Sequence, residues 1–196
     1  TDCESMMTVV HQIAGPDTSI TRTRVPNRNW VRESQQSFQP LQITENLRIC
    51  PVWYPPQTFG GQTVWITPGL AFGTGKHPST ALCLERLATM KLADTTVLDW
   101  GCGSGILAVA ALKLGASKAL GVDIDHRALA ASRELAAQNL VDDRLVVCRP
   151  EEVPSNFRCQ LIVANLLART LIDLAPTLGR HLTDDGRLLV SGVLED

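Results

Sequence analysis

Thr96-Val97-Leu98-Asp99-Trp100-Gly101-Cys102-Gly103-Ser104-Gly105-Ile106-Leu107-Ala108 is the stretch that decides the fold. One apolar run enters a glycine turn, and a second, Ile106 to Leu114, leaves it with the composition of a helix. That order reads as a strand, a tight turn and a helix N-terminus. Glycines at such a turn let the backbone approach a ligand closely, and the N–H groups of a first helical turn attract carboxylate or phosphate oxygens. About twenty residues on, Ala119-Leu120-Gly121-Val122-Asp123 reads as a second buried strand ending in an acid, placed to accept hydrogen bonds from a ribose diol. Together the two elements describe a pocket for an adenosine-containing cofactor.

Counting glycines does not choose that cofactor. Read from Gly101, the dinucleotide pattern fails, because Ile106 stands where the third glycine belongs. Read from Gly103, the run Gly-Ser-Gly-Ile-Leu-Ala satisfies the relaxed form, so a nicotinamide enzyme stays open. Asp99, two residues ahead of the first glycine, favours S-adenosylmethionine. That molecule carries an ammonium and a sulfonium but no phosphate, and a carboxylate at the strand end attracts the first two and repels a pyrophosphate.

At 196 residues the chain suits one α/β domain with a short appendage. Its 44% hydrophobic and 19% charged residues are ordinary for a globular protein. A net charge of −2 supplies no overall footprint for nucleic acid or an anionic membrane, and no apolar run reaches the length of a membrane span. A cytoplasmic enzyme is expected. The six cysteines (Cys3, Cys50, Cys83, Cys102, Cys148, Cys159) form no C-x-x-C pair, so no metal site is expected and the thiols read as reduced, buried hydrophobes. Cys102 in the glycine turn is either a nucleophile or a residue small enough for the turn, and no His lies near it in sequence.

Along the chain, residues 1–29 read as polar and irregular, with Gly15-Pro16-Asp17 as a turn and Ser19 to Val25 as an alternating edge strand. Asn29 to Phe38 reads as a helix stopped by Pro40, and Leu47–Trp53 and Thr63–Ile66 as strands. From Thr80 the order is regular. Helices are expected over Thr80–Ala88, Ile106–Leu114, Arg127–Asn139 and Ala168–Leu182. Strands are expected over Val97–Asp99, Ala119–Asp123, Arg144–Cys148, Leu161–Ala164 and Arg187–Ser191. Such alternation predicts an α/β fold with a doubly wound, mostly parallel sheet. Both ends read as cut, and the sheet is expected to lack its C-terminal strands.

Three further groups carry chemistry. Pro68-Gly69-Leu70-Ala71-Phe72-Gly73-Thr74-Gly75-Lys76-His77-Pro78-Ser79-Thr80 is a glycine-rich loop running into a helix that Ser79 or Thr80 is suited to cap. It reads either as a plain connection or as a flap over the cofactor, with Phe72 covering a face and Thr80 bonding the methionine portion. His77 within it is either a base or a packing or capping residue. Asn165 falls at the carboxyl end of a strand, where doubly wound sheets bind ligands; its carbonyl can hold an amine's N–H and aim the lone pair along the methyl–sulfur axis, or its side chain can cap the next helix. Arg22, Arg24, Arg28 and Arg32 read as a solvated edge more readily than as a nucleic-acid contact.

Pro68 to Thr80, Asp99 to Ala108, Gly121 to Asp125 and Asn165 to Ala168 closely resemble the motifs of the PrmA family, in order, within a resemblance running from about Trp30 to the end. The resemblance implies a Rossmann-like S-adenosylmethionine methyltransferase that methylates amino groups, lysine side chains or an N-terminal amine, of a large-subunit ribosomal protein. It implies cofactor-binding roles for Thr80, Gly101, Asp123 and Asn165, beside Phe72, Asp99 and Gly103 from the readings above, which also make Asn165 the candidate catalytic residue. It also implies that residues 1–45 are the remnant of a substrate-recruiting domain with its linker helix, and 46–196 the cofactor-binding domain. Lys76 and Thr67 depart from the residues common in the family at those positions.

Overall fold

The structure, a computed structural model, describes residues 3–15, 18–19, 21, 38–67, 75 and 77–193. Two compact units divide between Trp30 and Val31. In the first, residues Cys3–Ala14 form a helix, α1. This corrects the irregular reading of that segment. Met6, Val9, Val10 and Ile13 recur at helical spacing. Gly15, at φ +96°, is the left-handed stop that gives its N–H to His11 O at 3.0 Å. The expected edge strand and the linker helix lie outside the described residues, apart from Ser19 and Thr21, which are not in a strand, and Phe38, which is buried and not in a helix.

The second unit opens with a small sheet of β1 (Leu41–Thr44), β2 (Leu47–Pro51) and β3 (Gln62–Ile66), in that order. β1 and β2 form an antiparallel hairpin that straddles the expected boundary at 45, whereas β2 and β3 run parallel, Leu47 beside Gln62 and Pro51 beside Ile66. The crossover between them is held by Arg48, whose Nε donates to Thr63 Oγ1 at 2.9 Å and whose guanidinium lies 4.6 Å from the centre of the Phe59 ring.

The main sheet holds β4 (Thr96–Trp100), β5 (Lys118–Val122), β6 (Leu145–Cys148), β7 (Cys159–Asn165) and β8 (Leu182–Ser191), all parallel, in the order β6-β5-β4-β7-β8. Helices α2 (Pro78–Ala88), α3 (Ile106–Lys113), α4 (His126–Gln138) and α5 (Ala168–His181) accompany it. The central strands β4, β5 and β7 are buried on both faces, as their near-continuous apolar runs require, and the edge strands β6 and β8 are partly exposed. Val97, Leu161 and Val163 join one core with α2 and α3, and Leu98, Trp100 and Ile162 join the other with Leu171 and Leu178 of α5. In α3 every residue from Ile106 to Leu112 is buried, which explains its lack of a polar face. Strand order reverses between β4 and β7, and the loops leaving their carboxyl ends part there to open a crevice.

Asn139, at the C-terminus of α4, ties the two sheets of this unit together. Its side chain accepts from Trp65 N and donates to Trp65 O, both at 2.8 Å, so the amide pairs with β3 as a neighbouring strand would.

Candidate functional site

A cavity of about 1160 Å³ opens at that crevice. One wall is built from main chain. After β4 the chain turns through Gly101 at φ +78° and Gly103 at φ +54°, conformations that suit glycine. Gly101 N and Cys102 N both donate to Val122 O, at 2.7 and 3.0 Å, which fastens the turn to the end of β5. Asp123 follows, and its carboxylate is held at both oxygens: Oδ2 accepts from Gly103 N and Oδ1 from Asp125 N, each at 2.9 Å. Each oxygen keeps a lone pair in reserve. Asp125 in turn caps α4 by accepting from Arg127 N at 2.9 Å and pairs with the Arg127 guanidinium at 3.2 Å, and these contacts hold its carboxyl below the usual carboxylate range.

The opposite wall comes from β7 and α5. Asn165, Leu166, Thr170 and Leu174 line it. Asn165 Nδ2 donates to Thr80 Oγ1 at 3.1 Å, across 85 positions of sequence. Thr80 itself is 2% exposed and does not line the cavity among the described residues; it reaches the site through Asn165. The helix-cap reading of Asn165 is overturned. The residue preceding α5 in cap position is Leu167, without a side-chain cap bond.

Asp99 also differs from its expected place. It is 1% exposed and absent from the described cavity lining. Its Oδ2 accepts from Ala108 N at 3.1 Å, satisfying one of the orphan donors in the first turn of α3, while Oδ1 is buried without a partner. Burial pushes this carboxyl up to about 7, against the pull of the Ala108 N–H.

Of the remaining candidates, His77 is the N-cap of α2, in place of Ser79 or Thr80. Its Nδ1 accepts from Ser79 N at 3.3 Å, with Pro78 as the first helical residue. Cys102 is 7% exposed, and burial pushes its thiol up to about 12, so it stays protonated and is no nucleophile. Phe72, Lys76 and the four arginines lie outside the described residues. Sequence reasoning missed Ser104, Ile124, Arg127 and Leu166 in the lining. Ile124 had a signal in the sequence, an apolar side chain directly after the acid, and the structure leaves it 77% exposed.

The arrangement fits an adenosine-containing cofactor. Asp123 offers a preorganised acceptor pair, and Gly101 at φ +78° holds a backbone conformation that favours glycine where the two walls meet, with Leu166 Cδ2 2.5 Å from where a Cβ would stand. A doubly wound sheet with a glycine turn after its central strand and an acid ending the next defines a protein of the nucleoside-cofactor class. The comparisons narrow this. The family model described as ribosomal protein L11 methyltransferase (PrmA) matches residues 2–196. A ribosomal protein L11 methyltransferase of Shewanella amazonensis is 47% identical over 173 residues, 88% of this chain and 59% of that protein. One from Mannheimia succiniciproducens is 44% identical over 99% of this chain and 67% of its own length. The crystal structure of a ribosomal protein L11 methylase from Lactobacillus delbrueckii subsp. bulgaricus superposes with a TM-score of 0.71 at 36% identity, covering 79% of this chain and 80% of that one. The chain belongs to the ribosomal protein L11 methyltransferase family, and it spans about three-fifths of the length of the first curated relatives it matches.

Proposed function

We propose that this chain is the cofactor-binding and catalytic part of an S-adenosylmethionine-dependent N-methyltransferase whose acceptors are amines, lysine side chains or an N-terminal amine, of a large-subunit ribosomal protein. The observation that carries this reading is the facing of Asn165 and the Asp123–glycine wall across one cavity. Asp123 would hold the ribose, Gly101 and Gly103 would admit the cofactor close to main chain, and Asn165 would meet the acceptor. When bound, S-adenosylmethionine supplies a methyl group on a positively charged sulfur.

The chain's own contribution is orientation. With Nδ2 donating to Thr80, Asn165 would offer Oδ1 to the acceptor, accepting its N–H and fixing the direction of the nitrogen lone pair. Holding two reactants in line supplies most of the acceleration such a displacement needs. The amine must first lose its proton, from a pKa of about 10.4 for lysine or about 7.7 for an α-amine, and a site that excludes water favours the neutral form. Buried Asp99 would stand near the cationic end of the cofactor. Residues 1–45 would belong to a substrate-recruiting region, and the enzyme would work in the cytoplasm on a protein, with no direct nucleic-acid contact. No helix among the described residues is long and apolar enough to cross a membrane.

Melting the chain with S-adenosylmethionine, S-adenosylhomocysteine and NAD in parallel tests the cofactor. A ligand at 100 times its Kd stabilises by about 2.7 kcal/mol, and the first two alone are expected to do so. A shift with NAD alone overturns the reading. Transfer of labelled methyl groups to the purified ribosomal protein, mapped by mass spectrometry, tests the acceptor; label on no amine of that protein removes it as the substrate.

A further inference from the structure

One buried hydroxyl behind the glycine turn has no part in the reading above. Ser132, in the middle of α4, is fully buried. Its Oγ donates to Gly103 O at 3.0 Å and lies 3.4 Å from Cys102 Sγ. A serine has one hydroxyl proton, and Gly103 O takes it, so the thiol of Cys102 is the donor in the second contact. The result is a short relay, Cys102 S–H to Ser132 O–H to the Gly103 carbonyl. Helix and turn approach closely here: a Cβ on Gly105 would lie 2.8 Å from Ser132 Oγ and 3.0 Å from Ser132 Cα.

We propose that Ser132 is a positioning residue for the cofactor site: from α4 it pins the 103–104 peptide while Asp123 pins the 102–103 peptide, so that Gly103 is locked before any ligand arrives. Each peptide is a rigid plane, and two planes meeting at one Cα leave only the φ and ψ of that residue free. Asp123 Oδ2 fixes the first plane through Gly103 N, and Ser132 Oγ fixes the second through Gly103 O. A glycine has a wide choice of alternative conformations, so Gly103 at φ +54° stays in place only while it is restrained. In a trans peptide the N–H opposes the C=O, so a Gly103 carbonyl aimed at α4 turns the Ser104 N–H away from α4. Loss of the Ser132 bond would release that plane to rotate about Gly103, and the turn would no longer be held in one conformation. Binding would then first require the turn to be reordered.

This inference rests on the proposed cofactor site, and two measurements separate its failure from a failure of that reading. The first needs no ligand. Amide hydrogen exchange at Gly103, whose N–H the locked turn keeps on Asp123 Oδ2, is expected to quicken about five- to tenfold in the unligated Ser132→Ala chain, in keeping with the typical value of one buried hydrogen bond. The second is calorimetric titration with S-adenosylhomocysteine, well below the melting temperature. Ser132→Ala is expected to bind about five- to tenfold more weakly, to raise KM for S-adenosylmethionine by a similar factor and to leave kcat at saturation within about twofold. A merely structural role would lower Tm and leave Kd alone. Ser132→Cys, with a weaker donor on the same frame, should fall between the two. It carries the test if Ser132→Ala does not fold, and affinity equal to the unsubstituted chain then overturns the assignment. Unchanged exchange and unchanged Kd in folded Ser132→Ala overturn it as well. If the unsubstituted chain fails to bind S-adenosylhomocysteine, the reading of the site falls, and exchange at Gly103 still decides whether Ser132 locks the turn.

Discussion

The two walls of the cavity are held by different means. On the β4–β5 side the groups that face a ligand are main chain or are bonded to main chain, as Asp123 is to Gly103 N and Asp125 N. On the β7–α5 side they are side chains, and Asn165 owes its orientation to one bond from a distant helix. A wall of main-chain bonds has few alternative arrangements and suits a ligand that is always the same. A wall of side chains is set by single contacts, and suits the place where an acceptor must be aimed. The two meet where Leu166 packs against Gly101.

The largest effect is expected on the side-chain wall. Asn165→Ala should lower turnover of the full-length enzyme about a hundredfold or more, as loss of an orienting group does. Tm and the Kd for S-adenosylhomocysteine should stay close to normal; unchanged turnover would remove Asn165 from the site. Next comes the main-chain wall. Asp123→Ala strips the acceptor from two backbone N–H groups as well as from the ligand, and should weaken cofactor binding by roughly 10- to 100-fold in calorimetry. If instead it lowers kcat with Kd intact, the division of labour between the walls is wrong.

The seam is sensitive to volume. Gly101→Ala forces a Cβ into Leu166 at φ +78°, and should cost about 1–3 kcal/mol in urea unfolding while weakening binding. The last prediction concerns pH. Asp99 is raised from 3.8 to about 7 by burial, so between those values the folded chain holds a proton the unfolded chain has lost. That contribution to stability is complete below about pH 4 and is lost as pH rises through about 7. Asp99→Asn cannot titrate there, and urea midpoints at pH 5 and pH 8 should lie closer together for it than for the unsubstituted chain. An equal slope would show that Asp99 does not titrate in this range.

The strands and helices from β4 onward were legible because their signals are local. Apolar runs of strand length alternate with helical spacing, and glycines mark the turns. The short β1 was missed because four residues carry little periodicity, and α1 because polar neighbours masked a sound i, i+3, i+4 stripe. Of the readings open for His77 the capping one holds, although Ser79 and Thr80 are the residue types more usually found in that role.

Sequence alone determined the doubly wound parallel sheet, the glycine turn and the presence of Asp123 and Asn165 at strand ends, since backbone conformation and burial period are written in neighbouring residues. Tertiary structure alone decided what each group faces. It turned Asp99 from a wall of the cavity into a buried partner of α3, made Thr80 the holder of Asn165 and brought Ser132 onto Gly103. Those contacts join residues 9, 85 and 29 positions apart. Their partners are chosen by how helices pack across a sheet, and a linear pattern does not carry that choice.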